Sequence, residues 1–363
     1  MITEPQFCID EVRHNSYYSF PTSFRIMEFG ARFLGWFDIG ADSQLEYGRL
    51  AEKHGFDYCW FPHDTFMRNT WVLTSALAVQ TKKIKIGSVG TNPYTNDPCE
   101  IATYVATLDE ISHGRAVLGL GLHTTDMVGW VGIRAQDPVA RTKEAVKLIR
   151  DTLRTFPKGK AEPFHGKEFE WSDQAYLRFK PFREDPPIYV AAFGKDYLEL
   201  SGEIGDGSLP MITPPESSTY MVDSIRAGCR KKGRDPKEVS IAGFAWISIS
   251  KEDPKKAAQC LKPVIAYFGP YLEDEALASV GLSSSDFKEI RREIDRGRYD
   301  VAKDLVTDSM LSLGITGTVE ECIERIKLVE KAGVDQISLG GPWGPNISEA
   351  IEIVGERIIP AFR

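Results

Sequence analysis

A neighbouring histidine and aspartate are the first residues in the chain that could do acid–base chemistry. His63 and Asp64 follow an apolar run that ends at Pro62. Histidine titrates near neutral pH and a carboxylate can orient it, so this pair could relay a proton. Adjacent residues at a strand end point in opposite directions, however, and a structural capping pair is the alternative.

Two glycine-bearing turns could bring the backbone against a flat ligand. The first, GSVG at residues 87–90, follows a short apolar run and continues into Thr91 and Asn92. The second follows the apolar run 115–121, whose last residue is Gly121. Glycine allows a close approach of ligand and backbone. The alternative is that these glycines only make turns.

A third turn is suited to an anion, because a strand there leads directly into a helix. Its residues are Ala192, Phe193, Gly194 and Lys195. The unpaired N–H groups at a helix start favour an anion, and the lysine adds a positive charge. A plain turn with a solvated lysine is the alternative.

The elements that would position these turns alternate regularly. Asp97 and Pro98 are a typical helix start, and Gly114 is a typical stop. Strands are predicted at residues 25–33, 56–62, 84–87, 115–121, 187–193, 207–212, 239–250 and 334–340. Helices are predicted at 42–53, 71–80, 98–111, 138–156, 196–204, 215–232, 254–268, 318–331 and 348–360.

Eight strands, each followed by a helix, predict an α/β fold of the (β/α)8 TIM-barrel type, in which the strand ends meet at one ligand-binding face. An open doubly wound sheet is the alternative. We expect an N-terminal extension at 1–24 and a single barrel domain at 25–363, with insertions at about 158–183 and 271–313. Trp343, after the eighth strand, could cover a substrate or pack in the core.

Composition excludes several classes of protein. The net charge of −8 argues against nucleic-acid binding. No run of about 18 apolar residues predicts a membrane span, and residues 1–24 lack the apolar core of a signal peptide. The six cysteines are scattered without ligand spacing, so we expect a reduced, cytoplasmic chain without a metal site or disulfides.

Several segments resemble the luciferase-like oxidoreductases. They are GFDYCWF, TNPYT, LDEISHGRAVLGLG, the region of AAFG and LELSGEIGDG, and ITGTVEECIERI with GVDQISLGGPWGP. The chain is most similar to the branch that uses the deazaflavin coenzyme F420, and within it to methylenetetrahydromethanopterin reductase. The resemblance extends from about Met27 to Pro360.

The resemblance implies a cofactor site at the strand ends. A non-prolyl cis peptide, matched here by Val89–Gly90, would back the central ring of the deazaflavin. Residues 192–195 would hold the cofactor phosphate. The other expected contacts of the ring and its edge are Thr91, Asn92, Gly121, Leu122, His123 and Thr124; His123 could donate to a ligand or only cap the backbone.

Two positions depart from the family pattern. Relatives have aspartate then histidine where this chain has His63 then Asp64. The reductases have a glutamate beside the pterin at the position that we align with Arg32. An arginine could instead hold an acidic substrate by two hydrogen bonds, or lie in a surface ion pair.

The resemblance implies hydride transfer between the deazaflavin and a small organic substrate, a pterin or an acidic compound. Two other readings stay open: an FMN-dependent monooxygenase of the same superfamily, and a barrel that binds the cofactor without catalysis. We expect a homo-oligomer, dimer or tetramer.

Overall fold

A computed structural model describes residues 26–33, 39–121, 128–156, 158–210 and 214–363. Eight parallel strands close into a barrel in the order β1-β2-β3-β4-β7-β8-β9-β11, and β11 pairs with β1. The strands are β1 (Glu28–Arg32), β2 (Tyr58–Pro62), β3 (Lys85–Val89), β4 (Ala116–Leu120), β5 (Phe164–His165), β6 (Glu170–Trp171), β7 (Ile188–Ala192), β8 (Gly207–Pro210), β9 (Ser240–Ser248), β10 (Ile315–Thr316) and β11 (Gln336–Trp343).

Helices surround the barrel, and further helices make up most of the second insertion, at about residues 271–313. This insertion is called the second excursion below. The α-helices are α1 (Ala41–Lys53), α2 (Thr70–Ala78), α3 (Pro98–Ile111), α4 (Pro138–Leu153), α5 (Lys195–Ile204), α6 (Ser218–Lys231), α7 (Pro254–Gln259), α8 (Lys262–Phe268), α9 (Asp274–Ala278), α10 (Lys288–Asp295), α11 (Tyr299–Asp304), α12 (Val319–Ala332) and α13 (Ile347–Ile353). Short 3₁₀ or π turns lie at Pro215–Ser217, Pro236–Glu238, Gly269–Tyr271, Ser284–Phe287, Ser309–Leu313, Val354–Ile358 and Ile359–Phe362.

The predicted barrel is confirmed, and local signals explain where its helices begin. The Asp97 side chain accepts a hydrogen bond from the Cys99 amide at 2.9 Å, so α3 starts with proline in its first turn. Thr318 and Glu321 form a reciprocal capping box at the start of α12. These caps fix helix starts close to the carboxyl ends of the strands.

Two predicted elements were wrong in extent. The helix expected at 254–268 is two helices, because Pro263 lacks an amide proton and belongs in the first turn of a new helix, α8. The last strand does not stop at Gly340. It continues past a register shift to Trp343, which pairs with Ser248; proline is tolerated at such an irregularity.

The final predicted helix also changes form. It is α-helical only at Ile347–Ile353 and then continues as a π turn and a 3₁₀ turn to Phe362. Pro360 in the last turn cannot donate an α-helical hydrogen bond, which favours this ending.

The core has separate layers on the two faces of the strands. Ala245 and Ile247 of β9 pack in the large cluster with the outer helices. Phe244 and Trp246 of the same strand pack instead with the helices of the second excursion. Since these helices follow β9, they cover the carboxyl end of the barrel beside that strand.

Close helix packing positions the start of α5. An alanine Cβ at Gly228 of α6 would lie 1.9 Å from the carbonyl oxygen of Glu199 in α5, and one at Gly202 would lie 2.0 Å from that of Ile225. Both contacts are with backbone, which cannot rotate away. The spacing of α5 and α6 therefore requires glycine at both positions.

We expect Gly228→Ala to lower the free energy of unfolding by about 3 kcal/mol, because the two helices must move apart. Urea denaturation followed by circular dichroism measures this change. Gly40→Ala is the matched control, because no described atom lies within 4 Å of its added Cβ; since Gly40 is the N-cap of α1, where glycine is preferred to alanine, we expect a cost of at most about 1 kcal/mol. Equal midpoints for the two variants would contradict this account of the packing.

No helix in the described ranges is both long enough and apolar enough to cross a membrane. The described cysteines are Cys59, Cys99, Cys229, Cys260 and Cys322, and each has a free thiol.

Candidate active site at the barrel mouth

The carboxyl ends of five neighbouring strands bring most of the predicted site residues to one face. In barrel order, these ends carry Arg32 after β1, His63 and Asp64 after β2, Gly90, Thr91 and Asn92 after β3, Gly121 after β4, and Phe193, Gly194 and Lys195 after β7. Parallel strands all point the same way, so their ends form a common rim.

The third strand ends in the predicted irregular peptide. The Val89–Gly90 bond is cis, and it is not followed by proline. The backbone on both sides stays tied to neighbouring strands: the His63 amide donates to the Val89 carbonyl at 2.9 Å, and the Thr91 amide donates to the Gly119 carbonyl at 2.7 Å. The end of β3 is therefore held on both sides.

Thr91 and Asn92 have different local roles. The Thr91 hydroxyl is buried and has no hydrogen-bond partner in the part of the chain that the structure describes. The Asn92 Oδ1 accepts hydrogen bonds from the amides of Tyr94 and Thr95 at 3.1 and 2.9 Å. Asn92 thus shapes the turn, which the sequence did not reveal, while Thr91 offers an unpaired polar group.

Arg32 lies inside the mouth and not in a surface ion pair. Its side chain is only 5% exposed, and its guanidinium carbon lies 4.2 Å from the centre of the Phe244 ring. Its Nε has no hydrogen-bond partner among the described residues. Burial lowers the pKa of Arg32 to about 10, and Asp64 opposes that shift, so the group stays positively charged at neutral pH.

Asp64 is coupled to Arg32. Burial raises the pKa of Asp64, and the Arg32 charge opposes the rise. The described structure has no direct ion pair between the two side chains. An aspartate whose pKa is raised exchanges a proton nearer to neutral pH than an ordinary one, which suits a proton carrier.

His63 is the other titratable residue that follows β2. Burial lowers the pKa of His63, so its imidazole is neutral at neutral pH. Its Nδ1 is buried, and no described residue hydrogen-bonds to it. Among the described charges, Arg32 acts on Asp64, whereas no carboxylate is a cause of the His63 shift.

Trp343 packs behind the first strand. It is 1% exposed and stacks on Phe33, with ring centres 5.6 Å apart. Its Nε1 donates to the carbonyl oxygen of Arg32 at 3.3 Å. Trp343 therefore contacts the mouth through the backbone of Arg32.

The predicted anion turn opens α5. Gly194 is the N-cap with φ 87°, and an added Cβ would have only Glu273 within 4 Å among the described atoms. Lys195 is the first helical residue and is exposed. The first amides of any helix lack a helical carbonyl to bond, so this end attracts an anion.

A residue that the sequence reading missed lies at this turn. Glu273, the N-cap of α9, faces the Gly194 amide, and the Tyr220 hydroxyl donates to its Oε2 at 3.5 Å. A cavity beside it is lined by Ala192, Phe193, Gly194, Pro210, Leu272 and Glu273. No local sequence signal connects Glu273 with a turn 79 positions earlier.

The predicted site residues that remain are Leu122, His123, Thr124 and Ala192. Leu122, His123 and Thr124 lie outside the described residues. Ala192 is buried at the end of β7, below the anion turn. In the described ranges, no three histidine, cysteine or carboxylate side chains group as metal ligands.

Comparison with known proteins gives matches over nearly the whole chain. The sequence model of the luciferase-like monooxygenase family matches residues 28–336. A 5,10-methylenetetrahydromethanopterin reductase of Methanolobus tindarius is 36% identical over 338 residues, which cover 92% of this chain and 100% of that protein.

Two solved structures are also similar. The coenzyme F420 dependent tetrahydromethanopterin reductase from Methanopyrus kandleri gives a TM-score of 0.85 at 29% identity, covering 93% of this chain and 99% of that one. An F420-dependent secondary alcohol dehydrogenase, in complex with an F420–acetone adduct, gives 0.75 at 25% identity, with 93% and 99% covered.

Proposed function

Since this chain belongs to the luciferase-like monooxygenase family, we propose that it is a coenzyme F420-dependent oxidoreductase that transfers a hydride between the deazaflavin and a small organic substrate. Its similarity to 5,10-methylenetetrahydromethanopterin reductase over the full length of that relative supports this assignment. The FMN-dependent monooxygenase is less favoured, because the similar proteins of 25% identity or more described above are named for F420 or for pterin reduction.

The residues at the mouth fit such a cofactor. The unpaired Thr91 hydroxyl beside the β3 end can hydrogen-bond a polar ring edge. The N-terminus of α5 can receive a phosphate, with Lys195 beside it. Gly194 leaves that end open, since an added Cβ would contact only the movable Glu273 side chain.

One observation carries the proposal: the glycine-capped start of α5 and a buried arginine, whose Nε has no hydrogen-bond partner among the described residues, lie on the same rim. The α5 start follows β7 and Arg32 ends β1, with the β2, β3 and β4 ends between them in barrel order. A ligand with an anionic tail at α5 would direct its other end towards Arg32 and Asp64. This arrangement supports a flat cofactor and a second, substrate position.

The cofactor, when bound, supplies the hydride carrier, and the protein supplies binding, orientation and proton management. Val89 and Gly90 would support the ring face, and residues 192–195 would hold the phosphate. Asp64 would exchange one proton with the substrate, and buried His63 would contribute a neutral hydrogen-bonding group. Arg32 would orient the substrate, with Phe244 and Trp343 fixing the arginine itself.

We propose a substrate with an anionic group for this second position. Arg32 is a buried cation whose Nε has no partner within the described ranges, so a carboxylate or similar anion can bind it by two hydrogen bonds. A pterin with acidic substituents satisfies this requirement, and so does a smaller acid.

The proposal is tested by titrating the purified protein with F420 and with FMN. We expect tight binding of F420, weak binding of FMN, and no oxygen uptake with the reduced cofactor. Reduced F420 and a panel of acidic and neutral acceptors, including methylenetetrahydromethanopterin, then identify the substrate. Preferential FMN binding with oxygen consumption would contradict the proposal, and F420 binding without turnover of any acceptor would favour a non-catalytic barrel.

We expect Lys195→Ala to weaken F420 binding about tenfold, because it removes the cation beside the proposed phosphate. The free energy of unfolding should change by less than about 0.5 kcal/mol, since the side chain is exposed. Fluorescence titration measures the affinity, and Lys53→Ala is the control, because α1 ends at the opposite face of the barrel. Unchanged affinity would rule out a phosphate role for Lys195.

Assembly into a homo-oligomer and a cytoplasmic location stay predictions. Size-exclusion chromatography with light scattering tests the first.

A further inference from the structure

A carboxylate lies where the proposed cofactor would place its phosphate. The Glu273 side chain lies against Gly194, with Oε1 at 3.4 Å from the position of an added glycine Cβ. Burial raises the pKa of Glu273, and the Gly194 amide opposes that rise, as expected when an N–H group stabilises the charged form. The α5 start is therefore facing an anion that belongs to the protein.

The segment that carries Glu273 belongs to the second excursion. Glu273 precedes α9, and its neighbour Leu272 is buried in the cluster that also contains Phe244 and Trp246. Phe244 lies in turn under Arg32. The excursion thus contacts the anion turn through Glu273 and the substrate side of the mouth through Phe244.

From this juxtaposition we infer that Glu273 is a built-in competitor for the cofactor phosphate at the start of α5, and thereby a determinant of cofactor affinity. The inference rests on the proposed function. Two anions cannot share one helix start without repulsion, because the interaction between like charges a few ångströms apart is strong in a half-buried site. F420 must therefore displace the carboxylate or bind when it is protonated.

The groups around Glu273 make protonation accessible. Burial raises the pKa of Glu273, and the charge of Glu275 on the same segment raises it further. The Tyr220 hydroxyl from α6 and the Gly194 amide from α5 act in the opposite direction. As pH falls, Glu273 becomes neutral, and the repulsion of the phosphate disappears.

The test compares F420 with a tail-less deazaflavin, which keeps the ring and its ribityl chain but lacks the phosphate and everything beyond it. The affinities are measured by fluorescence titration of the intact protein. We expect Glu273→Gln to bind F420 about tenfold more tightly than the unaltered protein, with the affinity for the tail-less ligand unchanged. F420 affinity of the unaltered protein should rise as pH falls from 8 to about 5, and that rise should be lost in Glu273→Gln.

Asp274→Asn is the matched control, because it removes one negative charge from the next, exposed position. It should leave the affinity for both ligands within about twofold, since exposed charges are screened. Thermal melting checks that each variant is folded. If the glutamine variant does not melt cooperatively, Glu273→Asp serves instead, since its shorter carboxylate withdraws from Gly194 and should give the same direction of change.

The outcomes separate the two proposals. If both deazaflavins bind and Glu273→Gln changes neither affinity, or weakens F420 binding, the competitor role is overturned while the proposed function stands. An equal gain for both ligands would also overturn it, because the tail would not be the group that is repelled. If neither deazaflavin binds the unaltered protein, the proposed function fails and this inference fails with it.

Discussion

Arg32→Met should lower kcat/KM for the anionic substrate about 10²–10³-fold while F420 binding stays within about threefold. Methionine fills a similar volume on the Phe244 ring but offers no charge and no hydrogen-bond donors. The substrate anion would then enter a buried position beside Asp64 with nothing to neutralise it. Steady-state kinetics with the substrate that the acceptor panel identifies measure kcat/KM. Titration of the same variant with F420 measures cofactor affinity.

One control variant and one pH measurement separate charge from geometry. Arg32→Lys keeps the charge but lacks the planar fork, so we expect an intermediate loss, about tenfold. In Arg32→Met the effect that lowers the Asp64 pKa is gone, so the limb of the pH–rate profile that reports Asp64 should move to higher pH. Full activity of Arg32→Met on the same substrate would remove the anion requirement from the proposed function.

The order of strands could be predicted because the signals for it are local. Caps such as Asp97 and Thr318, and apolar runs of strand length, each depend on a few neighbouring residues. Once the barrel is assumed, its topology places every strand end on one rim. For that reason residues 63–64, 90–92, 121 and 192–195 could be assigned to the mouth without coordinates.

The partners within the mouth could not be predicted, since they come from distant parts of the chain. Sequence adjacency suggested that Asp64 works with His63, but the charge that acts on Asp64 is that of Arg32 from β1, and Asp64 is not among the causes of the His63 pKa shift. Phe244 reaches Arg32 from 212 positions away. Pairing of this kind follows from barrel closure, and a pattern within one segment does not contain it.

The excursions were the least readable parts. The second was expected to be helical, which is correct, but its role in covering the β9 side of the mouth depends on long-range contacts of Phe244, Trp246 and Leu272. Glu273 illustrates the consequence, because an acidic residue in a charged, helical segment looks like an ordinary solvated one. Only its place against the α5 start distinguishes it.

Asp64→Asn should reduce kcat by about 10²–10⁴-fold, the usual contribution of a positioned acid or base. Asparagine keeps the size and one acceptor oxygen of aspartate but cannot exchange a proton near neutral pH. We expect F420 affinity to remain within about twofold, because the α5 start and the β3 end are untouched. The substrate KM should not rise, since removing a negative charge beside Arg32 favours an anionic substrate.

The pH–rate profile distinguishes proton transfer from simple positioning. Burial raises the pKa of Asp64 above its ordinary 3.8, so the unaltered enzyme should show a limb shifted to higher pH than for an exposed aspartate, and Asp64→Asn should lose it. His63→Gln is the comparison. Because Asp64 is not a cause of the His63 pKa shift, this variant should keep the limb that reports Asp64, and its kcat should fall less than that of Asp64→Asn. If Asp64→Asn kept more than about a tenth of kcat and the same profile, the proton would have to be carried by another group, and the neutral His63 would be the next residue to test.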